Sequence, residues 1–142
     1  MLMEAPMSAD PSPSERPTVL VVDDEEDLRD IMRRMLERRG FDTLIAADST
    51  QAIDTCREHD GDIDVLVTDL GLPGVSGGEL SRTAAALRPA MGVVYISGLP
   101  KDIAVSKGLI GSDALLVKKP FTSEVLVGAL RTVLADKDAP NL

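Results

Sequence analysis

Short apolar runs alternate along this chain with longer segments in which apolar residues recur every three or four positions, and this alternation restricts the fold more than any other feature. The runs are rich in β-branched residues and have the length of strands buried on both faces of a sheet. They are TVLVV (18–22), DTLIAA (42–47), IDVLVT (63–68), GVVYI (92–96) and ALLV (114–117). The sequence therefore predicts five strands, each followed by a helical segment.

The segments between the runs have the pattern of helices that bury one face. In the first, the apolar residues are spaced i, i+3, i+4, i+7 and i+8, acidic residues lead, and Gly40 supplies a stop. Those apolar residues are Leu28, Ile31, Met32, Met35 and Leu36. Ser49 is a candidate cap for a second helix that runs to about His59, and Pro89 ends a third. A short fourth helix is predicted in KDIAVSKGL (101–109). The fifth helix carries on one face Leu126, Ala129, Leu130, Val133 and Leu134.

Five strands alternating with five helices predict an α/β protein with a parallel sheet that helices cover on both faces. A doubly wound open sheet is favoured, because about 125 residues are too few for an eight-fold barrel. Residues 1–17 contain four prolines among serines and charged residues, a composition typical of a disordered arm. We expect the folded domain to occupy residues 18–136, with a short tail at 137–142.

The overall charge limits the partners of the chain. A formal net charge of −9 argues against nucleic acid, which requires a basic face, and against anionic lipid, but it is compatible with binding a cation. The single cysteine, Cys56, excludes an internal disulfide framework and a multi-cysteine metal site. No apolar run approaches the length that crosses a bilayer, so we expect a cytoplasmic protein with no membrane partner.

Carboxylates follow two of the predicted strands at the point where each strand ends. Asp23 and Asp24 follow the first strand, and Asp69 follows the third. Ligand sites of open α/β sheets form beyond the carboxyl ends of the strands. If the first and third strands are neighbours, three negative charges converge there, and a cation relieves their repulsion. Carboxylate oxygens without His or Cys select a hard ion, so the sequence predicts a Mg²⁺ site.

The remaining groups at the strand ends suit phosphoryl transfer. Asp69 is a candidate nucleophile, because carboxylates form acyl phosphates in catalysis. The reaction then requires positioning and neutralisation of charge on the phosphoryl oxygens. The ammonium of Lys119 and the hydroxyl of Ser97 can each contact one of those oxygens, and the backbone N–H groups of Leu70 and Gly98 are further candidate donors.

Four segments together resemble the receiver domain of two-component response regulators. They are VLVVDDEEDLRDIM, VLVTDLGLPGVSGGEL, VVYISG and LVKKPFT, and the resemblance extends from about Thr18 to Asp136. It implies a flavodoxin-like (βα)5 fold with strand order 2-1-3-4-5 and Mg²⁺-dependent phosphorylation by a histidine kinase or a histidine phosphotransfer protein. It also implies a phosphoacceptor domain that catalyses only its own phosphorylation and dephosphorylation.

The resemblance assigns a role to each residue of the site. Asp69 is the implied phosphoacceptor, Ser97 the switch hydroxyl and Lys119 the phosphate contact, and the peptide bond between Lys119 and Pro120 is expected to be cis. The implied metal ligands are Asp23, Asp24, Asp69 and the backbone carbonyl of Gly71. Phosphorylation is expected to repack the surface formed by the fourth helix, the fifth strand and the fifth helix.

Three positions depart from the family pattern. Leu116 stands where the fifth strand normally carries an aromatic side chain that turns inward when the switch hydroxyl moves. Gly71 and Leu99 stand two residues beyond Asp69 and Ser97, where family members often carry polar side chains that influence attack by water. The usual aromatic readout is therefore not expected here.

Functions of other classes stay open from the sequence alone. An aspartyl-phosphate phosphatase or related hydrolase would use the same nucleophile, but such enzymes usually place a second acid two residues later, where this chain has Gly71. A phosphate-independent interaction module is a further alternative. A flavin-binding sheet is disfavoured, because the acidic loop after the first strand would repel a phosphate. The motifs suit both a receiver of a hybrid sensor kinase and a single-domain regulator. The expected partner beyond the kinase is an unidentified downstream protein, and a homodimer stays open.

Overall fold

The computed structural model describes residues 16–138, which form a single parallel sheet flanked by helices. The strands are β1 (Thr18–Val22), β2 (Asp42–Ala46), β3 (Val65–Asp69), β4 (Gly92–Ser97) and β5 (Leu115–Lys118). The helices are α1 (Glu26–Glu37), α2 (Ser49–Glu58), α3 (Gly77–Leu87), α4 (Lys101–Ser106) and α5 (Ser123–Asp138). The sheet has the order β2-β1-β3-β4-β5, so the predicted flavodoxin-like fold is confirmed.

The two faces of the sheet carry separate cores, because successive side chains of a strand point to opposite faces. In β1, Val19 and Val21 pack with α1 and α5, whereas Leu20 and Val22 pack with α2 and α3. The central strand β3 is buried along its whole length, up to and including Asp69. The fold therefore brings a carboxylate to the middle of the sheet edge at which the strands end.

The apolar face of α1 is narrower than the sequence pattern predicts. Met32 and Leu36 are completely buried, and Leu28 and Met35 pack partly against the core, but 47% of Ile31 is exposed. Ile31 lies at the border of the helix face, beside a groove that Leu28 and Met35 also line. Spacing alone places a residue on a face but does not tell how far the neighbouring element covers it.

The predicted cap of α2 is wrong by one residue. The side chain of Asp48 accepts a hydrogen bond from the Gln51 amide at 2.8 Å and so caps the helix, whereas the Ser49 hydroxyl donates to the Val75 carbonyl oxygen at 3.0 Å. Both residue types are good caps. Because the Ser49 hydroxyl is used in the bond to Val75, a residue 26 positions away in the sequence, Asp48 caps the helix instead.

Arg88, which follows α3, closes the end of α2 and was not singled out by the sequence analysis. Its guanidinium donates to the carbonyl oxygens of Cys56 at 2.8 Å, His59 at 2.7 Å and Gly61 at 2.7 Å. The last carbonyls of a helix lack partners within the helix. Arg88 therefore satisfies this end of α2 and ties α2 to α3.

The predicted disordered arm lies mostly outside the described residues, which exclude residues 1–15 and 139–142. Arg16 is attached to the domain, since it donates to the Asp42 carboxylate at 3.0 Å and to the Phe41 carbonyl oxygen at 3.1 Å. The predicted boundaries of arm, domain and tail stay predictions. Within residues 16–138, no helix has the length and apolar character that a bilayer crossing requires.

Candidate functional site

The end of β1 places Asp23 inside the site and Asp24 at its surface. Asp23 is completely buried, and its Oδ1 accepts a hydrogen bond from the Glu25 amide at 2.8 Å, while Asp24 is exposed. The guanidinium of Arg29, in the first turns of α1, donates to the Asp23 carbonyl oxygen at 2.7 Å. Arg29, which the sequence analysis missed, therefore holds the backbone of the acidic loop.

Asp69 is the last residue of β3 and has a donor on each carboxylate oxygen. Its Oδ1 accepts from the Gly71 amide at 3.0 Å, and its Oδ2 accepts from Lys119 Nζ at 3.2 Å. The Leu70 amide, predicted to be a candidate donor for phosphate, instead donates to the Ile96 carbonyl oxygen at 2.8 Å. That prediction is wrong, because the pairing of β3 with β4 continues one residue beyond Asp69.

The carboxylates of Asp23, Asp24 and Asp69, here called the acidic cluster, come together as the sequence predicts. One oxygen from each lies within 4.8 Å of the others. Burial raises the pKa of Asp23, the hydrogen bond from Glu25 opposes that rise, and the charge of Asp69 adds to it. Among the described residues, Asp23 Oδ2 is a buried oxygen without a hydrogen-bond partner. An oxygen-only cluster with an unused buried acceptor fits a hard divalent cation.

Lys119 supplies the positive charge opposite the acidic cluster. Its Nζ lies 3.2 Å from Asp69 Oδ2 and 3.8 Å from Asp23 Oδ2. Burial alone would lower the pKa of Lys119, but the charges of Asp69 and Asp23 outweigh it, so this pKa lies above its ordinary value. The peptide bond to Pro120 is cis, as the resemblance implies. The ammonium therefore stays charged and reaches the carboxylate that is the predicted phosphoacceptor.

Ser97 ends β4 on the opposite side of Asp69 from the acidic loop. It is buried, and its hydroxyl oxygen accepts a hydrogen bond from the Leu99 amide at 2.9 Å. A cleft of about 240 Å³ lies between the two strand ends. Its lining residues are Asp69, Leu70, Gly71, Ser97, Gly98, Leu99 and Leu109. The predicted phosphoacceptor and the predicted switch hydroxyl therefore line the same cleft. Leu109 also lines it, and the sequence analysis did not identify this residue.

Gly77 is a second element of the site that the sequence analysis missed. It begins α3, its amide donates to the Leu70 carbonyl oxygen at 3.2 Å, and a Cβ atom added at this position would collide with the Asp69 carbonyl oxygen. Only glycine therefore lets α3 lie directly against the backbone of Asp69. The glycine pair GG at 77–78 was the available signal, because glycine is unfavourable inside a helix unless close packing requires it.

The structure thus brings Asp23, Asp24, Asp69, Ser97 and Lys119 to one edge of the sheet. An acidic cluster with a facing ammonium, at the carboxyl ends of the strands of a flavodoxin-like sheet, is the arrangement of a phosphoacceptor site. The model of the family described as "Response regulator receiver domain" matches residues 19–131. The chain therefore belongs to the response regulator receiver domains of two-component systems, which are phosphoacceptor signalling modules rather than true enzymes.

Similar proteins agree with this assignment. The transcriptional regulatory protein CreB of Escherichia coli K12 is 34% identical over 121 residues, which cover 84% of this chain and 52% of CreB. The sensor kinase CckA of Brucella abortus is 27% identical over 121 residues, which cover 85% of this chain and 13% of CckA. The crystal structure of a response regulator receiver protein from Sinorhizobium medicae WSM419 superposes with a TM-score of 0.76 at 30% identity, covering 88% of this chain and 99% of that one.

The extent of these matches differs between relatives. The chain spans about half the length of CreB, whereas it spans almost all of the Sinorhizobium medicae receiver protein. The likeness therefore concerns the receiver domain, and a receiver domain implies a histidine kinase as its partner.

Proposed function

We propose that the chain accepts a phosphoryl group on Asp69 from a histidine kinase or a histidine phosphotransfer protein, in a reaction that depends on Mg²⁺. One observation carries this proposal: Asp69 lines the cleft, with the Lys119 ammonium 3.2 Å from its Oδ2 and a carboxylate oxygen each of Asp23 and Asp24 within 4.8 Å.

The transfer itself needs few groups. A carboxylate oxygen of Asp69 forms a bond to phosphorus while the bond between phosphorus and the donor's imidazole nitrogen breaks, and the imidazole leaves. Lys119 then donates to one phosphoryl oxygen, and the Ser97 hydroxyl, which lines the same cleft and accepts from the Leu99 amide, keeps its proton for a second phosphoryl oxygen. The acidic cluster and the Gly71 carbonyl would hold Mg²⁺, which neutralises charge on the phosphoryl oxygens.

Ser97 is connected directly to β5 through the backbone. Ser97 pairs with Lys118 in the sheet, and the Lys119 amide donates to the Ser97 carbonyl oxygen at 2.8 Å. A shift of Ser97 toward a phosphorylated Asp69 therefore acts on β5 and on Lys119, the residue that directly follows it. We infer that the surface of α4, β5 and α5 changes on phosphorylation and meets a downstream protein.

Incubation with acetyl phosphate, with and without Mg²⁺, followed by intact-mass measurement, tests the proposal. We expect one added phosphoryl group that requires Mg²⁺ and that is absent in Asp69→Asn. Asp54→Asn, which changes an exposed acid of α2, is the matched control and should be modified like the unchanged protein. Quantitative modification of Asp69→Asn at another residue would overturn the assignment of the phosphoacceptor.

A further inference from the structure

Tyr95 and Ser81 form a short hydrogen bond between β4 and α3 that the site described above does not use. The Tyr95 hydroxyl lies 2.6 Å from Ser81 Oγ, and Ser81 Oγ also donates to the Gly78 carbonyl oxygen at 2.8 Å. A serine hydroxyl has one proton to donate. The arrangement that satisfies both contacts has Ser81 donating to the Gly78 carbonyl oxygen and Tyr95 donating to Ser81.

Tyr95 lies next to the position at which the expected aromatic side chain is missing. It pairs with Leu116 of β5 in the sheet and precedes Ser97 by two residues, so Tyr95 and Ser97 point to the same face of β4. Its half-buried ring packs against a small cluster of Leu70, Ala104 and Ile110, beside Leu116. The aromatic ring on this face of the sheet is thus carried by β4 instead of β5.

The first turn of α3 is pressed against the phosphoacceptor from the other direction. Gly77 lies on the backbone of Asp69, and a Cβ atom added at Gly78 would lie 2.6 Å from the carbonyl oxygen of Leu109, a residue that lines the cleft. Ser81, one turn further along α3, then holds Tyr95. A continuous series of contacts therefore links Asp69 to α3, α3 to Tyr95 through Ser81, and Tyr95 along β4 to Ser97 in the cleft.

We propose that Tyr95 replaces the missing β5 aromatic as the positioning residue that senses the state of Ser97, and that its bond to Ser81 transmits this state to the first turns of α3. This inference rests on the proposed function, since it needs Asp69 to be the modified residue. When Ser97 turns toward the modified Asp69, it vacates space on the face of β4 that it shares with Tyr95. The ring is the large neighbouring side chain on that strand, and its movement loosens or releases the bond to Ser81, which adds α3 to the responsive surface.

A bond that only stabilises the fold would behave differently from a bond that transmits a signal. In the first case, its removal weakens α3 equally in the unmodified and the modified protein. In the second case, its removal abolishes the difference between the two states. The two cases are distinguished by comparing the unmodified and the modified form of each variant. A variant that is only less stable would still show a difference between its two forms.

The experiment uses the full chain with Mg²⁺, with and without beryllofluoride, in Tyr95→Phe and Ser81→Ala. Thr83→Ala is the matched control, because its hydroxyl also bonds within α3, to the Glu79 carbonyl oxygen, but is exposed. Fluorine NMR of bound beryllofluoride measures occupancy of Asp69, and amide hydrogen exchange measures protection of α3. Tyr95 is also the only tyrosine in a chain without tryptophan, so tyrosine fluorescence of the unchanged protein, Ser81→Ala and Thr83→Ala reports its surroundings directly.

We expect beryllofluoride to change the exchange rates of amides in residues 77–81 about fivefold in the unchanged protein and in Thr83→Ala, roughly the factor that one neutral hydrogen bond is worth. Tyr95→Phe and Ser81→Ala should bind beryllofluoride to the same occupancy, but show less than about a twofold change. Tyrosine fluorescence should respond in the unchanged protein and not in Ser81→Ala. An equal response of α3 in all four proteins at full occupancy, or none in the unchanged protein, overturns the inference and leaves the proposed function intact. Failure of the unchanged protein to bind beryllofluoride at Asp69 overturns the proposed function instead.

Discussion

Lys119 Nζ lies 3.2 Å from Asp69 Oδ2, so a cation of the chain itself already sits where a second cation is expected to bind. Both groups lie at the same sheet edge, Asp69 at the end of β3 and Lys119 directly after β5. On the proposed function, Mg²⁺ would share the acidic cluster with this ammonium, and each cation would reduce the affinity of the cluster for the other.

Replacement of Lys119 by methionine should make Mg²⁺ bind about tenfold more tightly to the unmodified protein. Two unit charges about 4 Å apart interact by about 4 kcal/mol at an effective dielectric constant of 20, and partial exposure of Lys119 reduces the repulsion between its ammonium and Mg²⁺ to about 1–2 kcal/mol. Titration calorimetry with Mg²⁺ measures the change. Lys118→Met removes an exposed neighbouring charge and should leave the affinity almost unchanged. Equal affinities for Lys119→Met and the unchanged protein would contradict the shared cluster.

The same Lys119→Met variant should still take up phosphate from acetyl phosphate, because Asp69 and the acidic cluster remain. Its conformational response should be weaker, since one phosphoryl oxygen loses its ammonium partner. Hydrogen exchange of β5 before and after phosphorylation measures the response. A response as large as that of the unchanged protein would show that Lys119 does not contact the phosphoryl group.

Millimolar Mg²⁺ should raise the thermal unfolding midpoint by about 2–6 °C, because a ligand that binds only the folded state stabilises it. The effect should vanish in Asp23→Asn, which replaces the buried carboxylate whose Oδ2 has no hydrogen-bond partner among residues 16–138. Calorimetry with Mg²⁺ and with EDTA measures the two midpoints. Asp54→Asn is expected to keep the full Mg²⁺ effect, and a persistent effect in Asp23→Asn would place the ion elsewhere.

Gly77→Ala should lower the free energy of unfolding by about 1–3 kcal/mol, because the new methyl group collides with the backbone of Asp69 and α3 must move. Urea denaturation measures the loss. Gly128→Ala, at a helical position with open space around it, is the matched control and should stabilise the protein by about 0.5–1 kcal/mol. A neutral effect at Gly77 would mean that α3 does not rest on the backbone of Asp69.

Arg88→Lys should also lower the free energy of unfolding, by about 1–3 kcal/mol. A lysine ammonium cannot reproduce the planar set of donors that reaches three carbonyl oxygens at the end of α2. Arg131→Lys, which keeps the charge at an exposed position of α5, should have little effect. Urea denaturation of the two variants decides between a specific cap and a general effect of arginine.

The acidic cluster was predictable from the sequence for a geometric reason. Parallel strands end at one sheet edge, so acids that follow neighbouring strands must meet there, whatever the loops do. Lys119 directly follows β5 and Ser97 is the last residue of β4, so both reach the same edge. The hydrogen bonds of Arg88, the contact of Gly77 and the engagement of the Leu70 amide were not predictable, because each depends on the path of a loop or on how far strand pairing continues.

The amino-acid sequence by itself determined the five strands, the helices between them and the set of charged residues at the strand ends, since hydrophobic periodicity and chain direction are local properties. Only the tertiary structure decided which neighbour each group contacts. In it, α3 packs against the backbone of Asp69, and Asp48 and Arg88 cap the two ends of α2. Tyr95 of β4 forms a hydrogen bond with Ser81 and lies beside the aliphatic Leu116. These choices depend on contacts between residues far apart in the chain, whose distances are fixed by packing of the whole domain and not by local pattern.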